Sequence, residues 1–272
     1  MYGFLIKKSF CDDWDNLLSV VVVNLVSLFS ALLLFMGCSA IVNIIDDSAG
    51  ELIHFIVLAG TLFIVTFVLN VFSMAWGELA AEIANFNGIR LLDFFKKIPG
   101  VLKDALLFTL LTTAIIIVSI YCFEFYFFQM QSLVGFFIGA FIFWLDIVAI
   151  LTLQWFIPIR SLMHNNFKKC LKKCLIIFFD NTGFSILVFI HTIVVLVLSV
   201  ILIGLFPGIS GILVNTINAL RLRLYKYDYL EEHPELQTKA ERRKIPWDEL
   251  IFDDKEALGP RKLKSFLFPW KE

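Results

Sequence analysis

Charge is the scarce commodity in this chain. Asp, Glu, Lys and Arg make up 17% of its 272 residues while 59% are hydrophobic, and mean hydropathy is +0.84. Soluble globular domains carry about a quarter charged residues, so an ordinary water-soluble fold is excluded. A net charge of −1 gives no global attraction for a polyanion, and nucleic acid is not an expected partner. The five cysteines are an odd set without the spacing of a disulfide framework. Cys170 and Cys174 share one face of a helical FKKCLKKC segment, but no histidine or acid at a matching position completes a metal ligand set. Asp248, Glu249, Asp253 and Asp254 lack the spacing and the glycine of an EF-hand. Nucleophile elbows, metalloprotease helices and phosphate-binding loops are missing too. The expectation is a non-enzymatic protein with no catalytic residues, no cofactor and no metal.

Long charge-free runs fill the chain instead. Residues 181–220 contain no Asp, Glu, Lys or Arg, and neither do Asn16–Ile45, Leu52–Gly77, Ala105–Phe123 or Phe125–Leu145. A helix crossing the hydrocarbon core needs roughly 20 apolar residues, so the run after Asp180 is long enough for two spans joined at Pro207-Gly208. The pattern predicts an all-α integral membrane protein with six spans at about 17–45, 52–77, 104–128, 132–159, 181–205 and 208–225. The last is the shortest and most polar. Two regions follow: a helical membrane domain over 1–225 and a charged tail over 226–272, which holds 21 of the 47 charged side chains. The first apolar stretch is about thirty residues long and follows Asp12, Asp13 and Asp15, so it is expected to persist rather than be cleaved as a signal peptide.

Lysine and arginine set the orientation. The connections DDSAGE and QMQS have none, whereas Arg90, Lys96, Lys97 and Lys103 follow the second span and Arg160, Lys168, Lys169, Lys172 and Lys173 follow the fourth. Basic loops stay cytoplasmic. Lys7 and Lys8 agree for the N-terminus, and six crossings return the tail to the same side. Both basic segments, LLDFFKKIPGVLKDAL and NNFKKCLKKCLIIFFD, interleave phenylalanine with paired lysines, which predicts amphipathic elbow helices in the headgroup layer.

These elbows carry a resemblance. An LLSVVVVNL first span is followed by AAEIANFNGIRLLDFFKKIPGVLKDAL, then by WFIPIRSLMHNNFKKCLKKCLIIFFDNTGFSILV with its Pro158, and finally by a hairpin closing in LRLYKYD. Over about residues 4–228 the chain resembles the YesL-like family of bacterial multi-span membrane proteins. The resemblance implies the bacterial cytoplasmic membrane, no assigned biochemical activity and no catalytic residues to carry over. It also implies association with sugar-uptake systems, hence the expected function of assisting a transport or envelope system beside a membrane-protein partner. The alternative is a transporter or ABC-permease-like subunit. For that reading, Glu82-Ile83-Ala84 stands before Gly88 and Ile98-Pro99, an incomplete form of a permease coupling loop.

Asp146, near the middle of the fourth span, is the sharpest candidate residue. An ionisable group there is costly and often marks an ion or substrate pathway; otherwise it bonds to a neighbouring helix. His54, Asn70 and His191 are candidate partners, and Asn24, Asn43, Asn215 and Asn218 also suit interhelical hydrogen bonds. Glu124 is read as solvated at the outer end of the third span. Gly135 and Gly139 form a small-xxx-small stripe that permits close helix approach. In the tail, Phe266, Phe268 and Trp270 beside Arg261, Lys262, Lys264 and Lys271 predict a segment that docks on the membrane surface or on the protein's own cytoplasmic face.

Overall fold

A computed structural model describes residues 1–44, 50–235 and 245–261, and every regular element among them is helical. An N-terminal helix, α1 (Tyr2–Asp15), leads into α2 (Leu17–Ile44). Next come α3 (Glu51–Ala84) and α4 (Leu91–Phe123). A π-helical turn, Glu124–Gln129, ends α4 and precedes α5 (Leu133–Leu153). Then follow α6 (Phe156–Met163), α7 (Phe167–Asp180), α8 (Thr182–Ile201) and α9 (Gly208–Glu232). Two short helices, α10 (Trp247–Leu250) and α11 (Phe252–Leu258), close the described chain.

Five stretches are long and apolar enough to cross a membrane: Leu17–Ala40, Leu52–Ala84, Leu91–Gln129, Leu133–Met163 and Thr182–Ile201. The 20-residue α8 alone reaches about 30 Å, the thickness of a hydrocarbon core. The expected sixth span corresponds to α9, which is not among these five. Its residues Asn215, Asn218 and Arg223 are polar yet buried. The other boundaries also shift. The first basic segment is continuous with α4, through Pro99, while the second forms the separate helix α7. The fourth expected span is broken at Gln154-Trp155, which divides α5 from α6.

Packing is concentrated at one end. Leu5 of α1, Met74 and Trp76 of α3, Phe94 of α4, Trp155, Phe156 and Ile159 around α6, Ile217 and Leu220 of α9, and Ile251 are almost wholly buried. Phe108 and Phe156 stack there with ring centroids 4.3 Å apart. The far halves of the spans are bare: no residue in the most apolar window of α3 is buried, and Phe35, Ile56, Val118, Phe136 and Val200 are exposed. Monomeric soluble proteins do not display continuous apolar surface on this scale. In a bilayer it faces chemically matched lipid, the arrangement of a multi-pass membrane protein.

Close approach at the packed end depends on small residues. A Cβ on Gly77 would stand 2.7 Å from Ser161 Oγ and 2.8 Å from a methyl of Ile157, so α6 crosses α3 where α3 has no side chain. α9 is the central element, packed against α1, α2, α3, α6 and α8. The first turn of any helix leaves N–H groups without intrahelical partners. Here Asn24 of α2 accepts from Ser210 N at 2.9 Å and Ser199 Oγ of α8 accepts from Gly208 N at 2.8 Å. Asn24 also donates to the carbonyls of Leu205 and Pro207, and Trp76 Nε1 donates to Ser210 O.

Candidate functional site

Asp146 lies in the second half of α5, about two turns before the break at Gln154. Its Oδ1 accepts a 2.8 Å hydrogen bond from the Ser119 hydroxyl of α4. The antiparallel pairing of α4 and α5 brings these residues together across 27 positions of sequence. The pair borders a groove of about 590 Å³ walled by α4, α5, α8 and the first turns of α9. Its surface is mainly Phe108, Ile115, Ile116, Ile120, Ala149, Ile150, Phe189 and Leu213, with Thr112, Gln154, Thr192 and Thr216 interspersed. Ile120 and Ile150 are 56% and 51% exposed, so the rim belongs to the same apolar surface as the spans. A second hollow of about 440 Å³, lined by Val118, Cys122, Ile142 and Leu145, shares Ser119 and Asp146 with the first.

The other intramembrane polar candidates are placed elsewhere. Asn70 donates to Thr109 Oγ1 at 3.0 Å and ties α3 to α4. His54 Nδ1 lies 3.1 Å from Gly50 O, within the first turn of α3. His191 of α8 has a buried Nδ1 without a hydrogen-bond partner among the described residues. None of the three is hydrogen-bonded to Asp146 among the described residues; the partner is Ser119. Glu124 accepts from Gln129 Nε2 at 3.2 Å in the π turn. Gly135 and Gly139 face that same turn: a Cβ on Gly135 would meet Tyr126 O at 2.8 Å, and one on Gly139 the Phe127 ring at 2.8 Å. The stripe therefore accommodates the chain's own preceding segment. Phe266, Phe268 and Trp270 lie outside the described residues, as does the Asn43 side chain.

At the packed end lie two polar clusters, the first of which uses Asn215 and Asn218 as interhelical hydrogen-bonding residues and adds acids that the sequence pattern does not single out. In the first, Lys8 pairs with Asp12 at 3.0 Å, Asn218 Nδ2 donates to Asp12 at 2.7 Å, and Ser9 bonds to Asn215. Asp13 is 6% exposed and its Oδ1 has no hydrogen-bond partner among the described residues. Burial pushes the carboxyls of Asp12 and Asp13 up, Asp13 well above its ordinary range with the Asp12 charge adding to the effect, and pushes the Lys8 amine down. Arg221 grips Asp254 with two bonds of 2.9 and 3.0 Å, fastening α11 to α9.

In the second cluster Arg160 of α6 is held by Glu78 of α3, by Asp104 at 2.8 Å and by the Gly100 carbonyl at 3.2 Å. Glu82, four residues beyond Glu78, accepts instead from Asn87 at 2.7 Å. Ile83 and Ala84 of the permease-like stretch are buried in the core. Cys170 and Cys174 are buried free thiols whose pKa values burial pushes up, the reverse of what a reactive thiolate needs. Among the described residues no group of three His, Cys, Asp or Glu could hold a metal ion.

No family model, curated protein or solved structure matches the chain.

Proposed function

We propose that the protein is a non-enzymatic integral membrane component that assists a transport or envelope system in a bacterial cytoplasmic membrane, as the resemblance to the YesL-like family implies. In this reading α9 supplies a sixth crossing over 208–225, both termini are cytoplasmic, and the basic segments at 90–103 and 160–173 rest among headgroups. The observation that carries the reading is the groove beside Asp146. It is lined mostly by aliphatic and aromatic side chains on the surface that bares the spans, a setting suited to holding a hydrophobic partner. Its carboxylate and hydroxyl are bonded to each other, with no base or metal-ligand set among the lining residues to turn them to catalysis.

Purification of the full chain from native membranes in mild detergent tests the proposal. A stoichiometric membrane-protein partner is the expected outcome; a solitary protein that accumulates solute by itself in reconstituted vesicles would overturn it. The second reading, a transporter with Asp146 in the substrate or ion pathway, is favoured by one observation: the residue borders hollows that share it and Ser119. Uptake by the protein alone that disappears in Asp146→Asn would establish that reading instead.

A further inference from the structure

The groove has space, and its charge has one sign. Asp146 gives one oxygen to Ser119, and among the described residues it has no ion pair. No Lys, Arg or His lines the groove. Two further wall residues, Gln154 and Thr192, carry buried side-chain oxygens without a hydrogen-bond partner among the described residues. The Gln154 amide nitrogen is already committed to the carbonyls of Leu151 and Ser185 at 2.8 and 3.1 Å, which leaves its oxygen as the acceptor. The groove thus combines hydrocarbon walls with one acidic side chain that has no cation beside it among the described residues.

A complementary ligand has an apolar body and a head carrying both N–H donors and positive charge. A neutral amphiphile would leave the carboxylate without a counter-ion, and an anionic one would add repulsion. We infer that this groove binds an amphiphilic amine, a hydrocarbon chain ending in a protonated amino group, with the ammonium against Asp146 and the chain between α4 and α8. The inference rests on the proposed membrane-embedded reading of α4, α5 and α8, and it adds the chemical class of the occupant.

The test uses the full chain reconstituted in phosphatidylcholine vesicles, with an alkylamine bearing a diazirine on its chain as the probe. A diazirine-labelled phosphatidylcholine in parallel samples reports whether α4, α5 and α8 contact lipid. Labelling by the amine probe is expected to map to α4, α5 and α8 and to saturate. Dodecylamine should compete about tenfold or more better than dodecanol, the margin of a charge-assisted hydrogen bond. Asp146→Asn should remove that margin, Asp146→Glu should retain it, and Ala149→Phe should block labelling by filling the groove. Equal competition by amine and alcohol in the wild-type chain, which requires no variant to fold, would overturn the inference. If the lipid probe labels these helices and the amine shows no preference, only the ligand assignment fails. If the lipid probe misses them, the embedded reading fails with it.

Discussion

Asp13 of α1 presses on Gly211 of α9: a Cβ at that glycine would stand 2.8 Å from Asp13 Oδ2 and would also meet Pro207 Cβ. Asp13 is thereby placed at the first turn of α9, where the helix dipole favours negative charge. The contact also explains why a glycine, ordinarily a poor helix former, occupies a buried position inside a helix.

Substituting Gly211→Ala is expected to destabilise the protein by about 1–3 kcal/mol, because overpacking here outweighs the gain in helix propensity. Gly183→Ala in α8, where a Cβ would meet nothing within 4 Å, is the matched control and should be neutral or slightly stabilising. Thermal unfolding in detergent compares them. An equal response at the two positions would show that the Asp13 contact is loose.

Asp13 also makes stability depend on pH. Burial raises its carboxyl well above the ordinary 3.8, so the folded state prefers the protonated form. That contribution is fully present below the unfolded value and is lost as pH rises through the folded one. Asp13→Asn, which cannot ionise, should therefore gain on the wild type between pH 4 and pH 8 and show little difference at or below pH 4. Melting temperatures at three pH values give the answer; a constant offset across them would contradict the burial of this carboxyl.

Arg160 bridges Glu78 and Asp104 with its side chain 11% exposed, and Lys97 stands 3.9 Å from Glu78 as a second, more exposed cation. Arg160→Ala leaves both acids without that partner, a loss expected to approach the roughly 3–5 kcal/mol of a broken buried pair. Glu78→Gln, which keeps a hydrogen-bond acceptor, should cost less. A double-mutant cycle with Asp104→Asn isolates the coupling, and a value near zero would remove the cluster as a fastener of α3, α4 and α6.

Orientation has its own measurement. Single cysteines at Ser48, Ser132 and Thr238, introduced into a chain without its own five, should label from outside at the first two positions. Thr238 should react only after the membrane is permeabilised. Ser48 and Thr238 lie outside the described residues. External labelling of Thr238 would mean that α9 does not complete a crossing.

Legibility followed the physics of each signal. The five apolar spans were plain because long uncharged runs have few alternatives, and Asp146 was plain because one acid stands alone among aliphatic residues. Its partner was not, since Ser119 acquires meaning only from the α4–α5 register. Asp12 and Asp13 stood out only as acids preceding the first apolar stretch; docking of α1 on α9 buries them, and that docking leaves no local periodicity. Arg160 read as one more positive loop residue, whereas its fixed place comes from acids on α3 and α4. α9 carries two signals at once. Its uncharged start suggested a span, while its asparagines and arginines are partnered by other helices, as Asn215, Asn218 and Arg223 show.

The setting of α9 bears on biogenesis. Its first turn receives side chains from α1, α2, α3 and α8, in Asp13, Asn24, Trp76 and Ser199. Everything that welcomes it is synthesised earlier, so these groups must wait with open hydrogen-bonding capacity until residue 208 has left the ribosome. A nascent chain halted before that point would leave the Asn24 amide and the Trp76 indole without their partners on α9. Closure of the packed end thus waits on α9, which meets partners from four helices made before it.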